Sequence, residues 1–170
     1  GEKVREIITM PKDLENHFII FATKQGIVKK SELTEYKNMR QNGLKAIKVV
    51  DGDEILAVRI SNGKKDVLLA ASSGKSIRFN EDDCRAQGRV SQGVKGIALD
   101  EGEEVIGMEL IDETSQILTV TARGYGKRVC VGCRLTGWHA RRELPRCRFS
   151  WNRRLQARRP DVTRIGGFDH

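Results

Sequence analysis

Four residues of this 170-residue chain have the types and spacing of a metal site: Cys130, Cys133, His139 and Cys147, in the pattern C-x2-C-x5-H-x7-C. Zinc takes four such ligands in a tetrahedron, and the first pair has the usual separation. The context argues against it. The pair interrupts a repeat immediately after GYGKR (124–128), and the residues beyond it have neither strand alternation nor a helical period. The expectation is therefore no metal. A second pattern, SSGKS (72–76), looks like a phosphate-binding loop. A P-loop needs glycine where this chain has Leu69, and a helix behind it rather than a hairpin. A third pattern is distributed. Lys30, Arg78 and Arg128 recur at one place after a glycine turn, with Lys29 and Lys127 beside two of them. Lys45 and Lys95 recur at another, and Arg40, Arg85 and Arg89 lie in the connections just before. Each alone reads as a solvated surface cation. Returned to the same place in successive units they form a stripe, which suits phosphates contacted without base reading.

The elements that would carry such a stripe are written into an internal repeat. Residues 43–58 (GLKAIKVVDGDEILAV) align without a gap on residues 93–108 (GVKGIALDEGEEVIGM), 50 positions later. FIIFATKQGIVKK (18–30), VLLAASSGKSIRF (67–79) and ILTVTARGYGKR (117–128) form a second set, with turns at Gly26, Gly74 and Gly124. GEKVREI (1–7) matches the same unit from its middle. The apolar runs are too short for most helices and are bounded by glycine turns, so each unit reads as β. About four short strands per repeat of this period predict propeller-like blades, whose faces are buried only against neighbours. Two tandem β-domains are the plainer alternative. Three units fall short of the roughly four blades a closed propeller needs. The expectation is an all-β segment of a longer array, about two full blades with partial ones.

Charge divides the chain at the same place as the repeat. The whole carries 31 Lys+Arg and 23 Asp+Glu. Residues 1–128 hold 21 bases and 20 acids, a net charge of +1, whereas residues 129–170 hold 10 Arg, no Lys and 3 acids, a net charge of +7. The basic total thus says little about the first part. The chain is read as a partial repeat domain over 1–128 followed by an irregular or disordered Arg- and Cys-rich tail over 129–170. The repeat calls for a Gly-Val pair near position 143, where the chain has Arg142-Glu143-Leu144. One base later, the codons of Trp138-His139 necessarily contain GGC, a glycine, and permitted codons of 140–143 read Thr-Arg-Gly-Val. The tail is accordingly read as out of frame, with a genuine zinc-binding tail as the competing reading. No run of 18 apolar residues and no signal pattern exists, so a soluble intracellular chain is expected.

Residues 1–128 resemble the C-terminal domain of DNA gyrase A. The resemblance is carried by KKSELTEYKNMRQNGLKAIKVVDGDEI (29–55), GKSIRFNEDDCRAQGRVSQGVKGIALDEGEEV (74–105) and TARGYGKR (121–128). It implies a β-pinwheel, a propeller relative whose basic rim wraps double-stranded DNA and so supports ATP-dependent negative supercoiling. The Lys and Arg of the stripe would then be DNA-binding. The family's QRRGGKG-like box has no match here. MRQNGLKA (39–46) and GRVSQGVKG (88–96) occupy degenerate slots of the same loop. The resemblance also implies no catalytic residue and no cofactor in this chain, since the catalytic tyrosine, ATP and Mg belong to other parts of the enzyme. Tyr36 and Tyr125 are assigned no chemistry. Implied partners are the rest of gyrase A and gyrase B in an A2B2 complex, with no membrane. The implied location is the bacterial cytoplasm, in association with the nucleoid. Two alternatives stand beside it: the corresponding domain of topoisomerase IV, and a propeller-like protein-interaction module without a DNA role. Clustered acids at Asp51, Asp53, Glu54, Glu101, Glu103 and Glu104 are expected to mark the face turned away from DNA.

Overall fold

The computed structural model describes residues 4–38, 43–121 and 124–131, and the backbone of 162–168. Among the described residues ten strands run in chain order: β1 (Phe18–Thr23), β2 (Ile27–Glu32), β3 (Ile55–Ser61), β4 (Asp66–Ala71), β5 (Ser76–Asn80), β6 (Val94–Lys95), β7 (Val105–Ile111), β8 (Gln116–Thr121), β9 (Gly126–Cys130) and β10 (Val162–Phe168). They form three antiparallel blades, ordered β3-β1-β2-β6, β5-β4-β7 and β10-β8-β9. Each blade is a tight hairpin joined by a later inner strand. The hairpin turns share one geometry. Gly26, Gly74 and Gly124 all have φ near +80°, and each donates its N–H to the residue three before it, Thr23, Ala71 or Thr121.

The runs FIIFAT and DVLLAA are apolar without alternation because both faces of a blade are packed. Ile20, Ala22 and Val28 join Val67, Leu69, Ala71 and Met108 in a core between the first two blades. On the opposite face Ile19 and Phe21 pack with Leu33, Tyr36, Ile47 and Val58. Alternate side chains of one strand thus serve two different cores. Fully burying a side chain of this size is worth about 1.5–3 kcal/mol, so neighbouring blades stabilise each other. Cys84 belongs to the inter-blade core, and burial pushes its thiol upward.

The inner strands repeat in register. Phe18 faces Ser61, Asp66 faces Ile111 and Gln116 faces Phe168. Each inner strand breaks register at the same place, opposite Ala22/Thr23, Ala70/Ala71 and Val120/Thr121. Arg59 on β3 meets Glu109, 50 positions on in β7, with Nη2–Oε1 at 2.9 Å and Nε–Oε2 at 3.3 Å.

Two features differ from the sequence expectation. The short fourth strand of the first blade, β6, comes from the following unit rather than from its own. The tail, expected to be irregular, supplies β10 on the edge of β8. An open strand edge carries unpaired N–H and C=O groups that any extended segment can satisfy. β10 begins 57 positions after β7 instead of 50, so the connection before it is longer.

The β7–β8 turn yields a pH prediction. Asp112 Oδ1 accepts the Thr114 hydroxyl at 2.6 Å, the Ser115 hydroxyl at 3.0 Å and the Thr114 N–H at 2.9 Å. The Thr114 and Ser115 hydroxyls, in that order, hold the carboxyl down to about 2. A depressed carboxylate stabilises the fold at neutral pH; that contribution starts to fade below about 3.9, the ordinary value, and is lost through about 2. NMR titration should place the Asp112 midpoint near the lower value, and Thr114→Val should raise it toward the ordinary one.

Candidate nucleic-acid interface

The repeat-equivalent cations do not share one environment. Lys29, on β2, is fully buried. Its ammonium donates to the carbonyl of Ala46 at 2.8 Å and to that of Arg89, and lies 5.8 Å from the Phe21 ring centroid. Burial lowers its pKa, with Glu35 opposing that and Arg89 adding to it. Lys30 is 4% exposed. It donates to Glu81 O at 3.1 Å and Asp82 Oδ1 at 3.2 Å, and lies 4.3 Å over Phe18. Neither ammonium reaches the surface, so in this structure both are internal braces rather than part of a rim. Arg78 is half-buried, with Nε on Asp66 Oδ2 at 2.6 Å. Lys127 and Arg128 are exposed.

The reason lies in the next unit. Residues 85–97 fold back over the outer edge of β2. Val94 and Lys95 pair with Val28 and Ile27, the Gln87 N–H bonds Lys30 O at 2.8 Å, and the Gly96 N–H bonds Gly26 O at 2.8 Å. This latch carries the GRVSQGVKG segment and covers Lys29, while Lys30 is closed off by the turn at Glu81 and Asp82 just before it. Among the described residues nothing equivalent pairs with the outer edges of β5 and β9.

The latch itself presents cations. Arg85 and Lys95 are exposed and Arg89 half-exposed. Arg89 is held by Glu35: its N–H reaches Glu35 Oε2 at 2.8 Å and its Nη1 reaches Glu35 O at 3.2 Å. The loop bearing Lys45 meets the latch where the Lys48 N–H bonds Ser91 O at 3.2 Å. Two further exposed cations lie in these segments, Lys37 and Lys48. Lys37 is the repeat partner of Arg85, 48 positions earlier, and that spacing was a usable signal. Lys48 corresponds to Ala98, so no repeat argument could select it. Arg40 lies outside the described residues, as do Cys133, His139 and Cys147. Tyr36 is buried, its hydroxyl on Ala46 O at 3.1 Å, whereas Tyr125 is exposed.

The acids gather elsewhere, at the β1–β2 turn and its neighbours. Lys24 Nζ sits between repeat-equivalent Glu54 and Glu104, at 3.4 and 3.5 Å. Both raise its pKa, the charge of Glu104 being the largest single cause. Lys75 pairs with Asp100 and, at 3.3 Å, with Glu103. Cations thus gather around the latch, with Glu35 among them, and acids around the turns, with Lys24 and Lys75 among them.

The family model described as DNA gyrase C-terminal domain, beta-propeller, matches residues 17–62, 65–112 and 115–129. The three stretches coincide with the hairpin-bearing units of the three blades. The chain belongs to the DNA gyrase C-terminal domain family. The DNA gyrase A protein of Staphylococcus epidermidis is 44% identical over 124 residues, covering 71% of this chain and 14% of that protein. Its Staphylococcus aureus counterpart is 44% identical over 135 residues, covering 77% and 15%. The chain therefore spans about one-seventh of the length of these relatives. Among solved structures, the C-terminal domain of DNA topoisomerase IV superposes with a TM-score of 0.77 at 27% identity, over 94% of this chain and 49% of that one. A DNA gyrase A C-terminal domain superposes with 0.62 at 30% identity, over 69% and 39%. In this gyrase-family chain, residues 88–96 lie within the latch that closes the outer edge of β2. No helix among the described residues is long and apolar enough to cross a membrane.

Proposed function

We propose that residues 1–128 bind and bend double-stranded DNA as part of the wrapping domain of DNA gyrase A, working with the rest of that protein and with gyrase B in the bacterial cytoplasm. The chain brings no cofactor and no catalytic group to that work. The observation that carries the proposal is the cluster of Lys37, Lys45, Lys48, Arg85, Arg89 and Lys95 around one latch, apart from the acids gathered at the β1–β2 turn. Bending a duplex costs on the order of 1–6 kcal/mol for a short site. Many phosphate contacts must offset that cost, and cations at fixed separation provide them. Lys127 and Arg128, exposed on β9, extend the set. The tail, read as out of frame, is left out of the proposal together with its seven net charges. A topoisomerase IV origin is the second reading, favoured by the higher superposition score; the higher sequence identity lies with DNA gyrase A.

Duplex affinity measured against salt tests this. Lys45→Ala, Arg85→Ala and Lys95→Ala should each flatten the log–log slope by about 0.9 if each neutralises one phosphate. Comparing variants removes the contribution of the tail arginines, which all of them share. Slopes equal to that of the unaltered chain would show that the latch does not meet DNA and would favour an interaction module.

A further inference from the structure

We infer that Lys29 is a positioning residue for this interface: its buried ammonium ties together the two basic loops that successive repeat units contribute. The inference rests on the DNA-binding reading proposed for the latch. Lys29 is the largest fully buried side chain among the described residues, and its hydrogen bonds run to two backbone carbonyls, not to a carboxylate. Burying an ammonium is costly unless its donors are satisfied. Here the acceptors are Ala46 O, next to Lys45 in one loop, and Arg89 O in the other, with the face of Phe21 nearby.

The peptide groups around those carbonyls are themselves committed. Ala46 O also accepts the Tyr36 hydroxyl. The Arg89 N–H is held by Glu35 and the Ser91 N–H by Gly88 O, while Ser91 O accepts from Lys48. Lys29 thus closes a circuit in which Lys45, Lys48, Arg89 and Lys95 stand at set distances. The charged groups facing it are Glu35 and Arg89. Phosphate spacing along a duplex is fixed, so cations already at matching distances bind with less ordering cost. Two carbonyl bonds drawn from different repeat units give the lysine a role at a place where the next unit has Ile77.

The test uses the 170-residue chain with Lys29→Met, which keeps the length of the side chain and removes its charge and donors. The Lys48 amide, which spans the two loops, should exchange about tenfold faster. Affinity for a 40-base-pair duplex should fall about fivefold, and the salt slope should flatten by about one, although no surface charge was removed. A merely structural role would leave that slope alone. Tyr36→Phe removes the other donor to Ala46 O without touching any charge, and should shift both readouts the same way by about twofold; it decides the matter if Lys29→Met does not fold. Unchanged Lys48 exchange with unchanged affinity in the folded variants overturns the inference. An unaltered chain with no salt-dependent duplex binding overturns the DNA reading instead, and the exchange rates still decide whether Lys29 couples the loops.

Discussion

Lys30→Met is expected to destabilise the fold by about 3–5 kcal/mol, because it strands a buried carboxylate. Glu81 is completely buried. Its Oε1 accepts the Ser61 hydroxyl at 2.5 Å and the Lys65 N–H at 2.6 Å. Its Oε2 makes no hydrogen bond and faces Lys30 Nζ at 3.7 Å. Removing the cation leaves that oxygen charged and uncompensated. The pair joins β2 of the first blade to the 3₁₀ turn after β5 of the second, so the loss should loosen the blade junction. Glu81→Gln keeps an acceptor for Ser61 and Lys65. Combined with Lys30→Met, it should cost less than the sum of the two single changes by more than about 1 kcal/mol. Urea unfolding measures all three. Duplex affinity of the folded Lys30→Met chain should match the unaltered chain, since the ammonium is internal and, unlike that of Lys29, bonds neither basic loop. A stable variant with weakened DNA binding would instead return Lys30 to the rim where the repeat pattern first put it.

Gly93→Ala should be nearly as damaging, and for a separable reason. Gly93 opens the latch with φ +98°, and a Cβ there would lie 2.6 Å from Val28 O and 3.1 Å from Lys29 Cβ. The carbonyl belongs to β2, on the edge where Val28 pairs with Val94, so the clash falls on the β2–β6 pairing itself. Strain at positive φ contributes about 1–2 kcal/mol and overpacking about 1–3 kcal/mol more. Gly102 supplies the control, with φ +78° and nothing within 4 Å of its Cβ position. Gly102→Ala should therefore show the strain cost alone, about 1–2 kcal/mol. A urea titration in which the two variants unfold together would mean that β6 is not clamped on β2 as described. If the latch lifts in Gly93→Ala, the Lys95 and Val94 amides should lose exchange protection before the hairpin strands do.

Much of the architecture was legible in the residues because a repeat reports itself. The gapless match of 43–58 on 93–108, and the glycines at 26, 74 and 124, located the blades, their turns and the polarity of each hairpin. The reason is local: a tight turn needs a residue that tolerates positive φ, and a strand packed on both faces needs an unbroken apolar run. The family could be named from the same segments, since RAQGRVSQGVKGI and GYGKR keep their character in one dimension. Even the Arg59–Glu109 pair is a 50-residue spacing made visible by β3 lying beside β7.

Other things waited for the tertiary structure. Lys30, Arg78 and Arg128 are one position in the repeat, yet they are buried, half-buried and exposed. Burial is a property of what lies on top, and the cover on β2 comes from the next unit, the latch over Lys29 and the Glu81–Asp82 turn over Lys30. No pattern within the hairpin could reveal that a later segment would return to it. The same crossing turned Lys29 from a candidate phosphate contact into a brace and brought Lys48 beside the latch without a repeat partner to announce it. Pairing between distant segments also put a tail strand on the edge of β8. The sequence by itself determined which residues extend, where they turn and how often the unit recurs, because those depend on neighbours along the chain. Which cations face solvent and which hold the blades together was decided only by packing between units, where a lysine three residues past a turn meets water or a carbonyl according to whether the following unit has folded over it.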